Sequence, residues 1–259
     1  MAWRTETVGT ASCEFIVRCK GDGPHPLLYL HDEFSTACAP FLDEVAGVCS
    51  VSAPVLPGFG SARRPEWVQS IRDVAACLME LVDQLPNRRL TLVGASMGAW
   101  AAAEVGLSLG DRVDALVLLG PMGIHVPGSP PADHWFVPDS ERDGLLFHDP
   151  DKRPEVDVEE WIANDESAAR YGWHPRFCDF TLEHRIHRVV APTVIIVGEH
   201  DRLVPRVQAQ RWAGRLPNAR IEVVPNAGHY AGYEQPAIVG RTILSFLGLD
   251  EPVSEVARA

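Results

Sequence analysis

The stretch "TLVGASMGAW", residues 91 to 100, places a single serine where an apolar run meets an alanine-rich one. Gly94 and Gly98 flank Ser96 two positions away on either side, which makes the pattern G-x-S-x-G. Between a strand and a helix, this pattern predicts a sharp, strained turn that projects the serine hydroxyl above a sheet. The bare pattern is weak evidence, and its predicted strand–turn–helix context strengthens it considerably.

A serine hydroxyl becomes a good nucleophile when a base takes its proton and an acid orients that base. The sequence supplies both groups, each directly after a predicted strand. Asp201 ends "TVIIVGEHD" and His229 ends "IEVVPNAGH". The order Ser, Asp, His is the one expected with this turn. Two alternatives stay open: Asp201 is only a turn residue, with Glu199 or His200 acting in its place, or His229 caps the following helix.

Strands and helices alternate along the chain. Strands are predicted from short apolar runs or alternating patterns, and helices from 3.6-residue spacing. The predicted strands are 13–19, 26–31, 47–54, 89–96, 113–121, 192–201 and 219–229, and the predicted helices are 36–46, 67–85, 97–109, 204–214 and 233–247. This alternation predicts an α/β fold with a mostly parallel central sheet and helices on both faces.

One segment interrupts the alternation. Residues 122–187 are rich in Pro, Trp, His and charged residues and contain no clear buried strand. We interpret them as a small inserted lid with short helices, of which 156–171 is the best candidate. A disordered insertion is the alternative, and the aromatic residues argue against it. The predicted domains are therefore a core of 1–121 and 188–259 and a lid of 122–187.

The chain resembles proteins of the α/β-hydrolase fold along nearly its whole length. The matching segments are "LLYLHDEFS", "APVLPGFGSA", "LVGASMGAW", "APTVIIVGEHDRLVP" and "PNAGHYAGYEQP". The resemblance implies that Ser96, Asp201 and His229 form a catalytic triad. It also implies a lid between the strands at 113–119 and 192–198. No metal or organic cofactor is expected.

The oxyanion of acyl transfer needs two backbone N–H groups, and here the sequence departs from its relatives. Met97 is the first expected donor and Glu33 the second, with Phe34 the nearest alternative. Most relatives have glycine directly after the loop histidine, whereas His31 is followed by Asp32 and Glu33. A like charge at ~4 Å, at an effective dielectric constant of ~20, costs about 4 kcal/mol. We therefore expect both carboxylates to point away. Alternatively, one of them is protonated, or Glu33 takes part in substrate recognition or proton transfer.

Three functions are compatible with these residues. The first is a serine hydrolase that cleaves a carboxylic ester or similar acyl compound, with Phe34, Trp135 and Phe136 lining its pocket. The second is a C–C bond hydrolase of vinylogous diketones, for which cations of the lid segment would hold a substrate carboxylate; the candidates are Arg170, Arg176 and Arg185. The third is a non-catalytic ligand-binding member of the fold.

The composition of the chain limits the classes of molecule that it is expected to bind. A formal net charge of −12 argues against nucleic acid or an anionic membrane, and a small-molecule acyl substrate is expected instead. No apolar run reaches the roughly 18 residues of a membrane span, and the start lacks a secretory signal, so a cytoplasmic location is predicted. The six cysteines match no zinc pattern and are expected to be reduced. His184 and His187 lack further ligands, so no metal site is predicted.

Overall fold

Eight strands form one central sheet in the computed structural model, which describes residues 1–36, 38–86 and 89–250. In chain order the strands are β1 (Arg4–Gly9), β2 (Glu14–Lys20), β3 (His25–Leu30), β4 (Cys49–Pro54), β5 (Leu90–Ala95), β6 (Val113–Leu119), β7 (Thr193–Gly198) and β8 (Ala219–Val224). They lie in the order β1-β2-β4-β3-β5-β6-β7-β8. The β1–β2 and β2–β4 pairs are antiparallel and all others are parallel. The carboxyl ends of the parallel strands therefore meet at one edge, where ligands bind in open α/β sheets.

Helices cover both faces of the sheet, which confirms the predicted fold class. Within the described residues the α-helices are α1 (Phe41–Val45), α2 (Ile71–Gln84), α3 (Met97–Leu109), α4 (Asp139–Leu146), α5 (Val158–Gly172), α6 (Arg206–Arg215), α7 (Ala231–Glu234) and α8 (Pro236–Leu247). Successive residues of a strand face opposite sides. Leu28 accordingly joins the apolar cluster formed with α2, α3 and α6, and Leu27 joins the one formed with α1 and α8.

The two helices beside the serine turn differ in how they are held. In α2, Ser70 caps the first turn and Asp73 bonds back to the Ser70 N–H, which forms a capping box. This cap explains why α2 begins at Ile71 rather than at residue 67. In α3 the residues from Met97 to Gly106 are all buried, so this helix lies in the interior and can hold the serine turn rigidly.

Residues between β6 and β7 form an insertion with two helices, α4 and α5, and several short 3-10 turns. Helix α5 matches the helix predicted at 156–171, with slightly shifted ends. It is fastened to the loop that follows β4. The Asn164 Oδ1 accepts the Gly60 N–H at 2.8 Å, and the Tyr171 hydroxyl donates to the Pro57 carbonyl at 2.6 Å. These bonds hold the insertion over the carboxyl edge of the sheet.

Strand β1 and helix α4 are absent from the sequence-based predictions. β1 lies at the edge of the sheet and is almost fully exposed, so it has no apolar alternation. Helix α4 has only eight residues and is mostly polar, so it shows no helical stripe of apolar residues. The predicted core domain extends to residue 259, and its last nine positions, 251–259, lie outside the described residues.

Candidate active site

The serine turn has the strained geometry that its sequence predicts. Ser96 joins β5 to α3 with φ 52° and ψ −115°, a left-handed conformation that is costly for a residue with a side chain. A Cβ at Gly94 would lie 2.3 Å from the Gly98 carbonyl oxygen, and one at Gly98 would lie 2.2 Å from the His31 carbonyl oxygen. Both flanking positions therefore require glycine. The strain is kept because buried strands and an interior helix surround the turn.

The three residues predicted as a triad are joined by hydrogen bonds. The Nε2 atom of His229 lies 2.8 Å from the Ser96 Oγ, and its Nδ1 atom lies 2.9 Å from Asp201 Oδ2. Asp201 follows β7 and His229 follows β8, so neighbouring strands of the sheet deliver both groups to the serine. Ser96 and His229 are both buried. The arrangement can pass a proton from the serine hydroxyl to an oriented imidazole.

Two backbone N–H groups hold the carboxylate of Asp201 in place. The second carboxyl oxygen of Asp201, Oδ1, accepts the N–H groups of Leu203 at 3.0 Å and Val204 at 2.8 Å. Burial by itself would lower the pKa of His229. The charge and hydrogen bond of Asp201, with the charges of Glu33 and Asp32, outweigh burial and raise the pKa of His229 above its usual value.

The Glu33 side chain points toward the nucleophile, so the expectation that both carboxylates face away is wrong for Glu33. Its Oε1 atom lies 2.8 Å from the Ser96 Oγ and accepts the Tyr230 hydroxyl at 3.2 Å. Its Oε2 atom accepts the Met97 N–H at 3.4 Å. Met97 is the predicted first donor to the oxyanion, so the carboxyl group of Glu33 lies where an oxyanion would bind. The physical reason is that the hydroxyl groups of Ser96 and Tyr230 and the Met97 N–H converge on this one buried carboxyl group.

Asp32 has a different environment. Its Oδ1 atom accepts the N–H groups of Phe34 at 2.9 Å and Ser35 at 3.2 Å, so it shapes the turn in place of a glycine. The Phe34 N–H, the alternative oxyanion donor, is therefore already used. Burial, followed by the charge of Glu33, raises the pKa of Asp32 to about 7.

The His31 ring helps to hold the loop that carries Asp32 and Glu33. The ring contacts the Asp32 carbonyl oxygen through Nδ1 at 2.6 Å, and its Nε2 accepts the Leu56 N–H at 2.9 Å. Both contacts require a neutral ring with its proton on Nδ1. Burial lowers the pKa of His31 to about 4. These two contacts give His31 a structural role in holding the loop.

This burial predicts a pH-dependent loss of stability. As the pH falls below the ordinary value of 6.5, the unfolded chain binds a proton on His31 while the folded chain stays neutral down to about 4. His31 should therefore cost the folded state up to about 3 kcal/mol across that window. Urea unfolding of the wild type and His31→Gln, whose amide oxygen can accept the Leu56 N–H without titrating, isolates this contribution. Parallel stability curves from pH 7 to pH 4 would contradict it.

Aromatic side chains of the insertion and of the loop after β3 cover the site. Phe34 is buried against Phe147 and Tyr230, with ring centroids 5.4 and 5.3 Å away. Trp135 is half-buried and stacks on Phe177 at 4.9 Å. Phe136, also predicted to line the pocket, has a side chain that is 74% exposed. It is therefore corrected to a surface position, because its neighbour Trp135 takes the inward place.

Three residues near the site were missed by sequence reasoning. Tyr230 bonds to Glu33 and directly follows the predicted base. Phe177 contacts α5 near the Met97 side chain, since a Cβ at Gly172 would lie 2.9 Å from the Phe177 ring and 3.6 Å from Met97 Cε. His134 is buried and stacks on Phe177 at 5.8 Å. Only the general richness of the insertion in aromatic residues pointed to the last two.

In the described part of the chain, no group of three or more His, Cys, Asp or Glu residues could hold a metal ion. His184 is exposed and lies 3.7 Å from Glu183. None of the six cysteines forms a disulfide. Of the helices within residues 1–36, 38–86 and 89–250, none has the length and apolar character of a membrane span.

Comparisons with known proteins agree with the fold. A protein of Pseudomonas savastanoi named "Putative carbamate hydrolase RutD" is 27% identical over 248 residues, which is 86% of this chain and 93% of the relative. A 2-hydroxy-6-oxononadienedioate/2-hydroxy-6-oxononatrienedioate hydrolase of Paraburkholderia phymatum is 27% identical over 223 residues, 74% of each chain. The crystal structure of naproxen esterase from Bacillus subtilis has a similar fold, with a TM-score of 0.80 at 19% identity, covering 95% of this chain and 92% of that one.

The family model described as the alpha/beta hydrolase family matches residues 21–241. That range runs from the turn after β2 to the middle of α8 and includes the serine turn and both of its hydrogen-bonded partners. Because the match spans most of the sequence and the relatives are named as hydrolases, the chain belongs to the alpha/beta hydrolase family and is an α/β-fold hydrolase.

Proposed function

We propose that this hydrolase cleaves a carboxylic ester or similar acyl compound through an acyl-enzyme on Ser96. The observation that carries the proposal is the unbroken chain of hydrogen bonds from Asp201 through His229 to the Ser96 Oγ, at 2.9 and 2.8 Å. It lies at the carboxyl edge of the sheet, beneath the insertion.

The reaction follows from this geometry. Ser96 Oγ attacks the substrate carbonyl carbon, and its proton passes to His229 Nε2. Asp201 keeps the Nδ1 proton in place and stabilises the imidazolium. The tetrahedral oxyanion collapses, the bond to the leaving group breaks, and the leaving group takes the proton from His229. His229 then takes a proton from a water molecule, whose oxygen attacks the acyl carbonyl carbon. When this second oxyanion collapses, the bond to Ser96 Oγ breaks and Ser96 takes the proton from His229.

The N–H groups of Met97 and Glu33 are proposed to bind the oxyanion. Met97 begins α3, so its N–H is one of the free donors at a helix start. In the present structure this N–H is taken by the Glu33 carboxyl group at 3.4 Å. Productive binding therefore requires the carbonyl oxygen of the substrate to displace one carboxyl oxygen from Met97.

The insertion, residues 122–187, is proposed to act as a lid over an apolar substrate. Phe34 and Trp135 are the proposed pocket residues, and Phe177 joins them on its packing against Trp135. Site burial supports a lid that must open, because Ser96 is only 1% exposed. A cytoplasmic location and a small-molecule substrate are part of this proposal.

C–C bond hydrolysis is the second candidate, because the Paraburkholderia relative is named as a dienedioate hydrolase. Such a substrate carries carboxylates and needs cationic partners. Three arginines of the insertion were the candidates, and each is already paired with a carboxylate: Arg170 with Glu166, Arg176 with Asp133, and Arg185 with Glu104 and Asp179. These pairings favour a neutral acyl compound.

The two candidates are separated by comparing substrates. We expect p-nitrophenyl esters of increasing acyl length to be hydrolysed, with a preference for apolar acyl groups. We expect slow or no cleavage of a dienoate diketone, followed by loss of its visible absorbance. Turnover of the diketone at a higher kcat/KM than every ester would reverse the order of the two candidates. Ser96→Ala should remove the activity in either case.

A further inference from the structure

We propose that Glu33 reacts as a neutral carboxylic acid and donates a hydrogen bond to the oxyanion alongside the Met97 N–H. The inference rests on the proposed acyl-enzyme chemistry and adds a side-chain donor to it. Its basis is the position of the Glu33 carboxyl group, within 2.8 Å of the Ser96 Oγ and 3.4 Å of the Met97 nitrogen. A charged carboxylate at that point would repel the oxyanion, whereas an acid would stabilise it.

Counting protons indicates that the site holds one more than an ordinary triad. The Ser96 Oγ contacts both His229 Nε2 and Glu33 Oε1 at 2.8 Å. Each contact needs a hydrogen between its two atoms, and the serine hydroxyl supplies only one. The Tyr230 hydroxyl cannot supply the second hydrogen, because it already donates to Glu33 Oε1. The second hydrogen must therefore lie on His229 Nε2 or on Glu33.

Only one of these two forms can react. With the extra proton on His229, the imidazole cannot accept the serine proton. With the proton on Glu33, His229 is neutral and Nε2 accepts from the serine hydroxyl, as general base catalysis requires. The serine hydroxyl connects the two forms: it accepts the His229 proton while it donates its own to Glu33. The extra proton therefore has a short path to the position where it is useful.

The reaction then balances with Glu33 neutral throughout. The serine Oγ forms a bond to the carbonyl carbon, the C=O π electrons move to oxygen, and the serine proton moves to His229. The new oxyanion accepts hydrogen bonds from the Met97 N–H and the Glu33 O–H. When the oxyanion collapses, the leaving group takes the His229 proton. The net charge of Asp201, His229, Glu33 and the reacting atoms stays constant at each step.

Several titratable groups face Glu33, and all of them influence whether its carboxyl group holds a proton. Asp32 precedes it on the same loop, and His229 and Tyr230 approach it from the loop after β8. His31 and Tyr29 interact with its charge from the β3 side. Of these, His31 is neutral near pH 7, because burial lowers its pKa to about 4. The shared proton thus belongs to a cluster that is rich in acidic groups.

The test is the pH dependence of kcat/KM on an ester, in the wild type, Glu33→Gln and Glu33→Ala. In the wild type we expect a bell-shaped dependence of kcat/KM on pH. Its acid limb marks a second proton on the His229–Glu33 pair, and its alkaline limb marks loss of the shared proton, which leaves a charged Glu33. Glu33→Gln keeps a neutral donor that cannot ionise, so the alkaline limb should disappear. Glu33→Ala should lower kcat by about 10²- to 10³-fold at the optimum.

Two control variants test whether the alkaline limb comes from Glu33 and whether turnover depends on Ser96. Asp32→Asn should retain the alkaline limb, because that limb belongs to Glu33. Ser96→Ala should lose turnover of the same ester; if turnover survives, the proposed function itself fails. If turnover depends on Ser96 but Glu33→Gln keeps the alkaline limb, or falls as far as Glu33→Ala, the present inference alone is overturned. A wild-type profile with no alkaline limb overturns it without any variant.

Discussion

Replacing Ser96 by alanine is expected to lower kcat/KM by about 10⁴- to 10⁶-fold, the range found when the nucleophile of a serine triad is removed. The substitution deletes the atom that attacks the substrate and leaves the strained turn, His229 and Asp201 in place. Serine and alanine both carry a Cβ, so the left-handed backbone at φ 52° is equally costly for either. Folding should therefore change little. Steady-state kinetics on the best ester, with thermal unfolding as the check, measures the effect.

Ser108 offers a matched control on the same helix. It lies toward the far end of α3, and its hydroxyl donates to the Glu104 carbonyl at 3.2 Å. Ser108→Ala should keep full activity, since this hydroxyl does not reach the site. Residual activity in Ser96→Ala within tenfold of the wild type would contradict a serine nucleophile.

Asp201→Asn is expected to lower kcat by about 10⁴-fold with a much smaller change in KM. The asparagine oxygen can still accept the N–H groups of Leu203 and Val204, which directs its NH₂ group toward His229 Nδ1. The ring must then accept at Nδ1 and carry its proton on Nε2. In that tautomer it cannot take the serine proton, so Asp201 acts as a positioning residue through His229.

Glu199→Gln is the matched control for Asp201, because Glu199 was the alternative acid in the same segment. Glu199 accepts the Asn226 N–H at 3.3 Å on the exposed side of the turn. Its amide variant should retain wild-type kcat and the wild-type pH profile. If Glu199→Gln lost activity and Asp201→Asn retained it, the assignment of Asp201 as the acid would be wrong.

The serine turn and its partners could be predicted from sequence because each has a local requirement. A tight turn needs glycine at positions 94 and 98, and a parallel sheet brings the ends of its strands together. The order of Ser96, Asp201 and His229 along the chain then follows the order of the strands. These constraints act within a few residues of each functional group, so a single sequence carries them.

The Glu33 orientation could not be predicted in the same way. Its side chain turns inward because Ser96, Met97 and Tyr230 meet it from three separate segments. Phe136 and Phe177 make the same point for the insertion. Both are aromatic residues in a segment without apolar periodicity, and only packing between distant segments exposes the first and buries the second. Side-chain direction in irregular segments is decided by such contacts and leaves no periodic signal.

The third sequence-based alternative, a non-catalytic binding protein, is not supported by the family membership of this hydrolase or by its site. A binder has no need for an oriented imidazole against a strained serine. The buried His229 and its two hydrogen bonds are instead what acyl transfer requires.

Labelling with a fluorophosphonate, read by intact mass and peptide mapping, tests directly whether Ser96 is an activated nucleophile, because the reagent reacts with activated serines. We predict one adduct on the wild type, located on the peptide that contains Ser96. The adduct should be absent from Ser96→Ala, much slower to form on Asp201→Asn and unchanged on Ser108→Ala. An adduct that persists in folded Ser96→Ala, or a folded wild type that remains unlabelled at high reagent concentration, would contradict an activated nucleophile at Ser96.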